Sequence, residues 1–415
     1  MKITLLHYRY TPSLAGVELV MEAHARLLHE AGHEVTVVAA SGSSSLVRVV
    51  LLPELGTDHP LFAPAQAELE AWRALPPEQQ KQARTPGTLP AFCAMVEATR
   101  TALEPWCREA DRVVVHNILT MPFHLPCTVA LWELAESLPP QRLISWVHDL
   151  APLNSDYPAC HPGAPWPWAL LSQRHPAMEQ VAVSLARAHD FEALTGTHVD
   201  AIVPNGFDPF GFLNLTPAVE RFAREHRLPE ADLLLLHPTR LVRRKQIELG
   251  FDLLLALREK GCRAKLLITG AIDEHNPDSL RYLEELLLLR NRLDLSPRDA
   301  IFLHSHFPVT KRDLVSLYSL CDVLWLPSRS EGFGLPLLEG SLHRLLLFCT
   351  DIAPMNTLGL PNAEFFDPSL PPARLAAQLL AALEPGSRFR EARQQVVRRF
   401  AWEALLPEIE AILVP

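Results

Sequence analysis

The chain has 415 residues, of which 48% are hydrophobic and 21% are charged, and its formal net charge is −10. This length predicts two or three domains with ample core, and the acidic balance argues against a general nucleic-acid binder, which normally carries a basic face. The seven cysteines show no Cys-x-x-Cys spacing. That pattern argues against a zinc ribbon or a disulfide framework and favours a reducing compartment.

The chain shows no membrane-spanning pattern, because no apolar stretch approaches the roughly 18 residues that a spanning helix needs. The first apolar run, Ile3–His7, is too short for the core of a signal peptide. We therefore expect a cytoplasmic protein without an integral membrane segment. The sequence leaves the oligomeric state open.

The first half of the chain alternates strand and helix patterns. The predicted strands are Ile3–His7, His33–Ala40, Val113–Val115, Leu143–Val147, Val181–Ser184 and Ala201–Val203. A helix at Val17–Ala31 ends before Gly32, as helices commonly do at a glycine. The proline-rich segment Pro53–Pro90 is predicted to be an insertion of short helices and loops. This strand-helix-strand start predicts a parallel sheet covered by helices on both faces.

A second alternating set begins near Asp232. Its predicted strands are Leu233–His237, Ala264–Ile268, Ile301–Leu303 and Val323–Leu326, and its predicted helices are Gln246–Glu259, Leu280–Leu293, Lys311–Ser319 and Leu335–His343. The short strands are apolar throughout, as buried parallel strands are. We predict an α/β protein with an N-terminal domain at 1–210, joined by a C-terminal helix at 396–415, and a C-terminal domain at 211–395.

A glycine, Gly16, precedes the first predicted helix, where a backbone N–H group can approach an anion. The alternative is a simple turn glycine, since the Gly-x-Gly-x-x-Gly fingerprint is missing. Arg240 and Lys245 follow a strand end, where open α/β sheets bind ligands, and together they could hold a diphosphate. The alternative is a solvated charge cluster, because Arg243 and Arg244 lie between them.

The segment Glu331-Gly332-Phe333-Gly334-Leu335-Pro336-Leu337-Leu338-Glu339 is the most specific pattern in the chain. Its glycines expose backbone N–H groups, and its proline suits the first turn of a helix. The two carboxylates, Glu331 and Glu339, can each accept hydrogen bonds from a sugar diol. A helix-capping loop with two surface acids is the alternative. His148 and His116 each end a predicted strand, although a lone histidine is more often structural than catalytic.

Taken in order, these residues resemble the family 4 glycosyltransferases of the GT-B fold along nearly the whole chain. The resemblance rests on Gly16-Val17-Glu18, His148-Asp149, Val203-Pro204-Asn205-Gly206, Arg240-x4-Lys245, Glu331-x7-Glu339, Asp351-Ile352-Ala353-Pro354 and Phe400-Ala401-Trp402. It implies two Rossmann-like domains facing across a cleft, with a C-terminal helix crossing back to the N-terminal domain.

The resemblance also implies a reaction and its residues. A hexose would pass with retention from a UDP- or GDP-sugar to an acceptor hydroxyl, by a front-side mechanism without a metal, and the leaving phosphate would take the acceptor's proton. The residues implied for catalysis are His148, Arg240, Lys245 and Glu331, and those implied for the donor are Gly16, Phe333, Gly334, Leu335, Glu339, His306 and Phe307. In this scheme the two cations bind the diphosphate, the first carboxylate binds the sugar and the second binds the ribose.

The acceptor side is predicted only from positions at strand ends. These candidates are Tyr8, Arg9, Tyr10, His116, Asn117 and Asp156. The N-terminal half has no strongly basic amphipathic helix of the membrane-surface type, so we expect a small polar acceptor. The sequence shows no Asp-x-Asp at a strand end, and we expect neither a bound metal nor a tightly held cofactor.

Two positions depart from the family pattern. Ala15 stands where the family often has a glycine, and His304-Ser305-His306-Phe307 stands where a Gly-x-Val turn usually meets the base. The second departure lies in the region implied to contact the base, so the identity of the nucleotide stays open. Three other functions also stay open, namely a nucleotide-sugar epimerase, a phosphorylase of the same fold, and a non-catalytic nucleotide-sugar-binding subunit.

Overall fold

The computed structural model describes residues 1–11, 16–80, 88–270 and 278–413. They form two compact units. Unit 1 comprises Met1–Phe207 together with the chain from Trp402 onward, and unit 2 comprises Asp208–Ala401. The sequence analysis placed its divisions after residues 210 and 395.

Unit 1 is built on a parallel sheet. Its strands in the described residues are β1 (Lys2–Leu6), β2 (Glu34–Ala39), β3 (Arg48–Leu51), β4 (Arg112–His116), β5 (Leu143–Val147), β6 (Glu179–Ala182) and β7 (Ala201–Ile202). They lie in the order β3-β2-β1-β4-β5-β6-β7. Every residue of β4 and β5 is buried, because helices cover both faces of the sheet.

The helices of this part of the chain are α1 (Gly16–Glu30), α2 (Phe62–Arg73), α3 (Pro77–Gln80), α4 (Pro90–Glu109), α5 (Leu125–Ser137) and α6 (Leu185–Thr195). Helix α1 packs on the sheet through Met21, Leu27 and Leu28, which are almost fully buried. The predicted insertion at Pro53–Pro90 contains helix α2, of 12 residues. Residues 81–87 of that insertion, and 12–15 before α1, lie outside the described residues.

Unit 2 is built on a second parallel sheet. Its strands are β8 (Leu233–His237), β9 (Ala264–Ile268), β10 (Ala300–Phe302), β11 (Val323–Leu326), β12 (Leu346–Thr350) and β13 (Ala363–Phe366). They lie in the order β10-β9-β8-β11-β12-β13. Its helices in the described residues are α7 (Pro209–Phe212), α8 (Pro217–Glu225), α9 (Ile247–Glu259), α10 (Asp278–Arg292), α11 (Lys311–Leu320), α12 (Leu335–Leu342), α13 (Pro372–Leu383) and α14 (Ser387–Phe400). The predicted α/β class, with two Rossmann-like sheets, is confirmed.

The strand order reverses once in each sheet. In unit 1 the reversal falls between β1 and β4, and in unit 2 it falls between β8 and β11; both pairs are parallel neighbours. Open α/β sheets bind ligands at the carboxyl ends of the strands that flank such a reversal. We call these places the unit 1 and unit 2 switch points.

The last helix, α15 (Trp402–Leu413), packs on α1. Its Trp402 lies over Gly206, where an added Cβ would come within 2.2 Å of the indole ring. The Pro204-Asn205-Gly206 turn therefore has a packing reason for its glycine, since only a residue without a side chain leaves room for this ring. The Trp402 backbone N–H also donates to the Phe207 carbonyl at 3.2 Å.

Three strands, β3, β12 and β13, were absent from the sequence prediction. Strand β3 is an edge strand without a fully buried residue, so its pattern is weakly apolar. Strand β12 begins four residues after α12 ends, and the apolar run Leu345–Phe348 merges with the helix pattern before it. Among the described helices, none is both long and apolar enough to cross a bilayer.

Candidate active site

The unit 2 switch point brings together two loops of the predicted donor site. The loop after β8 carries Arg240 and then a 3-10 turn, Arg243–Lys245. The loop after β11 carries Glu331 and leads into α12. Because β8 and β11 are parallel neighbours, their carboxyl ends deliver both loops to the same place.

A buried ion pair joins the two loops. Lys245 Nζ donates to Glu331 Oε1, and each side chain is only 11% exposed. Burial alone would raise the pKa of Glu331, but the hydrogen bond from Lys245, together with the charges of Lys245 and Arg244, lowers it below its usual value. The carboxylate is therefore ionised and fixed at neutral pH.

Arg244 fastens the same two loops. Its Nη1 donates to the Ser330 carbonyl at 2.6 Å and lies 3.4 Å from Glu331 Oε2. In return, the Arg329 N–H donates to the Arg244 carbonyl at 2.8 Å. These contacts hold the two loops together, which lowers the ordering cost of binding a ligand between them.

Arg243 faces away from this group. Its guanidinium pairs with Asp278 and Glu285 of α10, at 2.7 Å each, and lies 5.1 Å from the centre of the Tyr282 ring. The basic run is therefore divided, because Arg243 braces a neighbouring helix while Arg244 and Lys245 face the loop after β11. This division weakens the alternative of an undifferentiated charge cluster.

A buried histidine, His237, ends strand β8. Burial and, to a lesser extent, the charge of Lys245 lower the pKa of His237 to about 3. His237 is therefore neutral at pH 7, and the unit 2 switch point gains no positive charge from it. Sequence analysis missed this residue, although its position after four leucines marks a strand end.

The start of α12 presents backbone donors. Gly334 has φ +96°, in the left-handed region, and precedes the first helical residue, Leu335. Phe333 and Leu335 are 52% and 60% exposed, whereas Gly334 between them is buried. A helix start with exposed N–H groups favours an anion or a sugar oxygen.

The second carboxylate of the motif, Glu339, lies one turn into α12. Its Oε2 accepts a hydrogen bond at 2.8 Å from the hydroxyl of Tyr318, a residue of α11 that is 2% exposed. Sequence analysis did not single out Tyr318, because a tyrosine 21 residues before the glutamate belongs to no motif.

The predicted base region lies after β10. The rings of His306 and Phe307 pack against Phe222 of α8, at 5.3 and 5.6 Å between ring centres. His304 lies instead over Gly270, where an added Cβ would come within 2.8 Å of its Nδ1. His304 is thus the ring of this segment that approaches the end of β9.

The unit 1 switch point holds a cluster of histidines. His7 follows β1, His116 ends β4 and His148 follows β5, while His24 comes from α1. The His7 Nδ1 donates to the His116 carbonyl at 2.8 Å, and His116 Nδ1 lies 3.4 Å from His148 Nε2. The His24 ring centre lies 5.3 Å from that of His116. These four residues are called the histidine cluster below.

The histidine cluster is buried and uncharged at neutral pH. Burial lowers the pKa of His24 to about 3 and that of His148 to about 4, with neighbouring histidines adding to the shift. Burial also lowers the pKa of His116 well below its usual value. The pKa of His7 is lowered by burial, although its hydrogen bond to the His116 carbonyl and the charge of Glu18 oppose the shift.

Asn117 shapes the loop that carries His148. It has φ 50° and accepts hydrogen bonds through Oδ1 from the N–H groups of His148, at 3.2 Å, and Asp149, at 2.9 Å. The Thr120 hydroxyl donates to the Asp149 carbonyl at 2.6 Å. The side chain of Asn117 is therefore committed to holding the end of β5.

The predicted acceptor residues separate by exposure. His116, Asn117 and Tyr10 are 0%, 6% and 4% exposed, whereas Arg9 and Asp156 are exposed. Buried residues of this kind support the strand ends, so the accessible candidates are Arg9, Asp156 and the half-buried Tyr8.

An aromatic row lies beside these accessible residues. The Tyr8 ring centre is 6.3 Å from that of Phe123, which is 48% exposed and 5.9 Å from that of Tyr157. These rings follow β1, β4 and β5 in turn. Sequence analysis did not select Phe123 or Tyr157, because isolated aromatic residues in loops carry no pattern.

Gly16 is the first residue of α1, and a Cβ added there would meet nothing within 4 Å. The space beside it is therefore open on the described side. Ala15, the departure from the family pattern, lies outside the described residues.

Within the described ranges, no group of three or more His, Cys, Asp or Glu side chains could hold a metal ion.

Known proteins resemble this chain in sequence. Residues 218–396 match the family profile described as glycosyl transferases group 1. The chain is 28% identical over 235 residues to a D-inositol 3-phosphate glycosyltransferase of Xylanimonas cellulosilytica, which covers 54% of this chain and 53% of that protein. The chain thus spans about half the length of this curated relative. The segment that matches the family profile lies within unit 2, which also contains the two-carboxylate motif.

Among solved structures, a glycosyltransferase from Rickettsia africae is 15% identical, with 99% of this chain and 98% of that chain covered and a TM-score of 0.37. The Anabaena protein HepE in complex with UDP and glucose is 16% identical, with 100% and 99% covered and a TM-score of 0.36. Sucrose-phosphate synthase from Thermosynechococcus elongatus is 16% identical, with 99% and 98% covered and a TM-score of 0.37. The family profile and the curated relative confirm the predicted resemblance to glycosyltransferases.

Proposed function

We propose that the protein is a retaining glycosyltransferase that moves a hexose from a UDP- or GDP-sugar to a hydroxyl of a small polar acceptor. The observation that carries this proposal is the Lys245–Glu331 ion pair at the unit 2 switch point, where a fixed cation and a fixed carboxylate lie side by side. A nucleotide-sugar offers both complements, since its diphosphate is anionic and its sugar hydroxyls donate hydrogen bonds.

The donor is assigned to unit 2. Lys245 and Arg240 bind the diphosphate and neutralise the charge that develops as it leaves. Glu331 accepts hydrogen bonds from the transferred sugar, helped by backbone N–H groups of Phe333, Gly334 and Leu335. The start of α12 adds a favourable dipole. These groups do the work that a divalent cation does in other transferases.

The acceptor is assigned to the carboxyl edge of the unit 1 sheet. Arg9 and Asp156 are exposed there, and the ring of Tyr8 lies beside them in the aromatic row. The curated relative is named for D-inositol 3-phosphate, which supports a small polar acceptor. His148 is assigned to the side of the transferred sugar that the acceptor approaches, as a neutral hydrogen-bonding group.

The chemical step exchanges one bond at the anomeric carbon. The bond from that carbon to the phosphate oxygen breaks while a bond to the acceptor oxygen forms on the same face. The acceptor's proton passes to the leaving phosphate oxygen, so no side chain has to act as a base. The ionised state of Glu331 agrees with a role in binding the sugar.

Calorimetric binding of UDP, GDP and ADP tests the donor site. We expect one nucleotide to bind wild type and to bind Lys245→Ala at least about tenfold more weakly, as expected for the loss of a charge-assisted contact. Arg243→Ala is the matched control, because it removes a neighbouring cation that faces α10. Equal binding to wild type and Lys245→Ala would contradict the assignment, and so would an equal loss in both variants.

Product analysis tests the reaction class. With the bound nucleotide's glucose conjugate and a panel of hydroxyl acceptors that includes D-inositol 3-phosphate, we expect an α-linked product by proton NMR. A β-linked product would exclude retention. Conversion of the donor sugar without an acceptor would instead favour the epimerase.

A further inference from the structure

The side-chain carboxylate of Glu339 is held by one of its two oxygens. Oε2 accepts the Tyr318 hydroxyl at 2.8 Å. In the described residues no hydrogen bond engages Oε1. Glu339 itself is half-buried, while Tyr318 is 2% exposed. The protein therefore holds Oε2, whereas Oε1 has no hydrogen-bond partner within the described residues.

Tyr318 is rigidly placed. It lies on α11, whose start is fixed by a capping box between Thr310 and Asp313. Its ring stacks on His343, with ring centres 5.6 Å apart and an interplanar angle of 20°. The phenol thus approaches Glu339 from a fixed direction. A terminal carboxylate otherwise rotates broadly about its last torsion, and one hydrogen bond from a fixed donor limits that rotation.

The phenol can act only as a donor in this contact. Burial and then the contact with Glu339 raise the pKa of Tyr318 well above its usual value. The hydroxyl therefore keeps its proton across the range in which the protein is folded, and an ionised carboxylate is acceptor-only. The direction of the hydrogen bond is thereby settled.

We propose that Tyr318 is a positioning residue that holds Glu339 so that Oε1 faces the ribose hydroxyls of the donor nucleotide. The proposal rests on the proposed function, together with the ribose-binding role that the family resemblance implies for Glu339. In this proposal Tyr318 affects the recognition of the ribose hydroxyls through Glu339, without contacting the nucleotide itself. A carboxylate held in one orientation accepts both hydroxyls of a vicinal diol at lower entropic cost than a freely rotating one.

The test compares two ligands on each variant. UDP and 2′,3′-dideoxy-UDP, or the GDP pair if GDP is the nucleotide that binds, are titrated into wild type and Tyr318→Phe. We expect wild type to bind the dideoxy ligand about tenfold more weakly, the size expected for hydrogen bonds to a charged group. We call the affinity for the nucleotide divided by that for its dideoxy analogue the ribose ratio. In Tyr318→Phe we expect this ratio to fall at least about threefold. Affinity for the dideoxy ligand should remain unchanged.

This ratio distinguishes positioning from mere stability. A structural role would weaken both ligands together and leave the ratio as in wild type, which would overturn the proposal. Ser319→Ala is the matched control, because its hydroxyl belongs to the next residue and pairs with Val315 and His343, not Glu339. The control should keep the wild-type ratio.

Glu339→Gln supplies a second route if Tyr318→Phe folds poorly by thermal unfolding. It should reduce the ratio by itself, and adding Tyr318→Phe should reduce it no further, because both changes act through one carboxylate. Additive effects would overturn the proposal. A wild-type ratio near one would also overturn it while leaving the diphosphate site intact. If no nucleotide bound wild type at all, the proposed function itself would fail.

Discussion

At the unit 1 switch point four histidines lie buried and uncharged, whereas at the unit 2 switch point Lys245 and Glu331 lie buried and paired. Both groups follow strands of similar parallel sheets, so backbone geometry does not explain the difference. A buried ionisable group must either lose its charge or find a partner. Histidine loses its proton near neutral pH at low cost, whereas lysine and glutamate are retained as a pair.

The two switch points differ in how well they are prepared to bind an anionic ligand. A pre-formed cation costs no reorganisation when a diphosphate arrives, so the unit 2 switch point is the better prepared of the two. The neutral rings of unit 1 offer hydrogen bonds and shape without a fixed charge. This suits an uncharged hydroxyl group better than a phosphate.

Removing the unit 2 cation should have the largest effect. In Lys245→Ala we expect turnover to fall by about a thousandfold, the size expected when charge stabilisation at a leaving group is lost. Steady-state transfer from the donor sugar measures it. The exposed Arg243→Ala variant should retain most of the activity. Near-normal turnover in Lys245→Ala would remove this residue from the mechanism and with it the proposed contrast.

Breaking the ion pair from the other side should destabilise unit 2. Glu331→Gln leaves a buried cation without its partner, and we expect a loss of about 3 kcal/mol in the free energy of unfolding. Denaturant unfolding of the full chain measures it. The double variant Lys245→Met/Glu331→Met removes both charges and should recover most of that stability. A double variant no more stable than Glu331→Gln would show that packing, not charge, sets the cost.

Acid should destabilise unit 1 through the histidine cluster. Because the folded pKa of His24 is about 3 and that of His148 about 4, the unfolded chain binds these protons first as the pH falls below about 6.5. Stability is therefore intact above about pH 6.5 and is lost towards pH 4. At pH 5 each such histidine costs about 2 kcal/mol.

The variant His24→Phe isolates the contribution of His24 to the acid sensitivity, because it fills the space with a ring that cannot be protonated. We expect its loss of stability between pH 7 and pH 5 to be smaller than that of wild type by about 2 kcal/mol, followed by hydrogen exchange of α1. The control His161→Gln changes an exposed histidine and should keep the wild-type pH dependence. An unchanged slope in His24→Phe would show that His24 is not a source of the acid sensitivity.

The last prediction concerns the packing of Trp402 over Gly206, beside the histidine cluster. Trp402 lies over Gly206 and 5.4 Å from the His24 ring centre. Gly206→Ala should displace the indole and cost about 1 to 3 kcal/mol, as overpacking does. Thermal unfolding measures the loss. Gly386→Ala is the control, because a Cβ there meets nothing within 4 Å; equal losses in both variants would refute the packing argument.

Much of the proposed donor site follows from the sequence because its residues lie in short local patterns. The glycines and the proline of the segment Glu331–Glu339 predicted a loop entering a helix, and α12 begins at Leu335. Lys245 was selected by its place after a strand end. The partner of each residue was not predictable, because Lys245 and Glu331 meet across 86 residues of sequence.

The acceptor side was harder to predict. Position at a strand end selected Tyr10, His116 and Asn117, yet all three are buried. A strand end carries residues that face a ligand and residues that support the loop, and sequence spacing does not separate them. Exposure, which depends on what α1 and the loops cover, makes that distinction.

The sequence by itself determined the α/β class, the two sheets and the places where most of their strands end, because hydrophobic periodicity and glycine or proline signals are local. Only the tertiary structure decided which strand ends lie together and which oxygen of Glu339 is held by Tyr318. It also decided that Arg244 and Lys245, but not Arg243, face the loop after β11. These outcomes depend on strand order and side-chain packing between residues far apart in the chain. No local pattern encodes such contacts, since each depends on the positions of both partners at once.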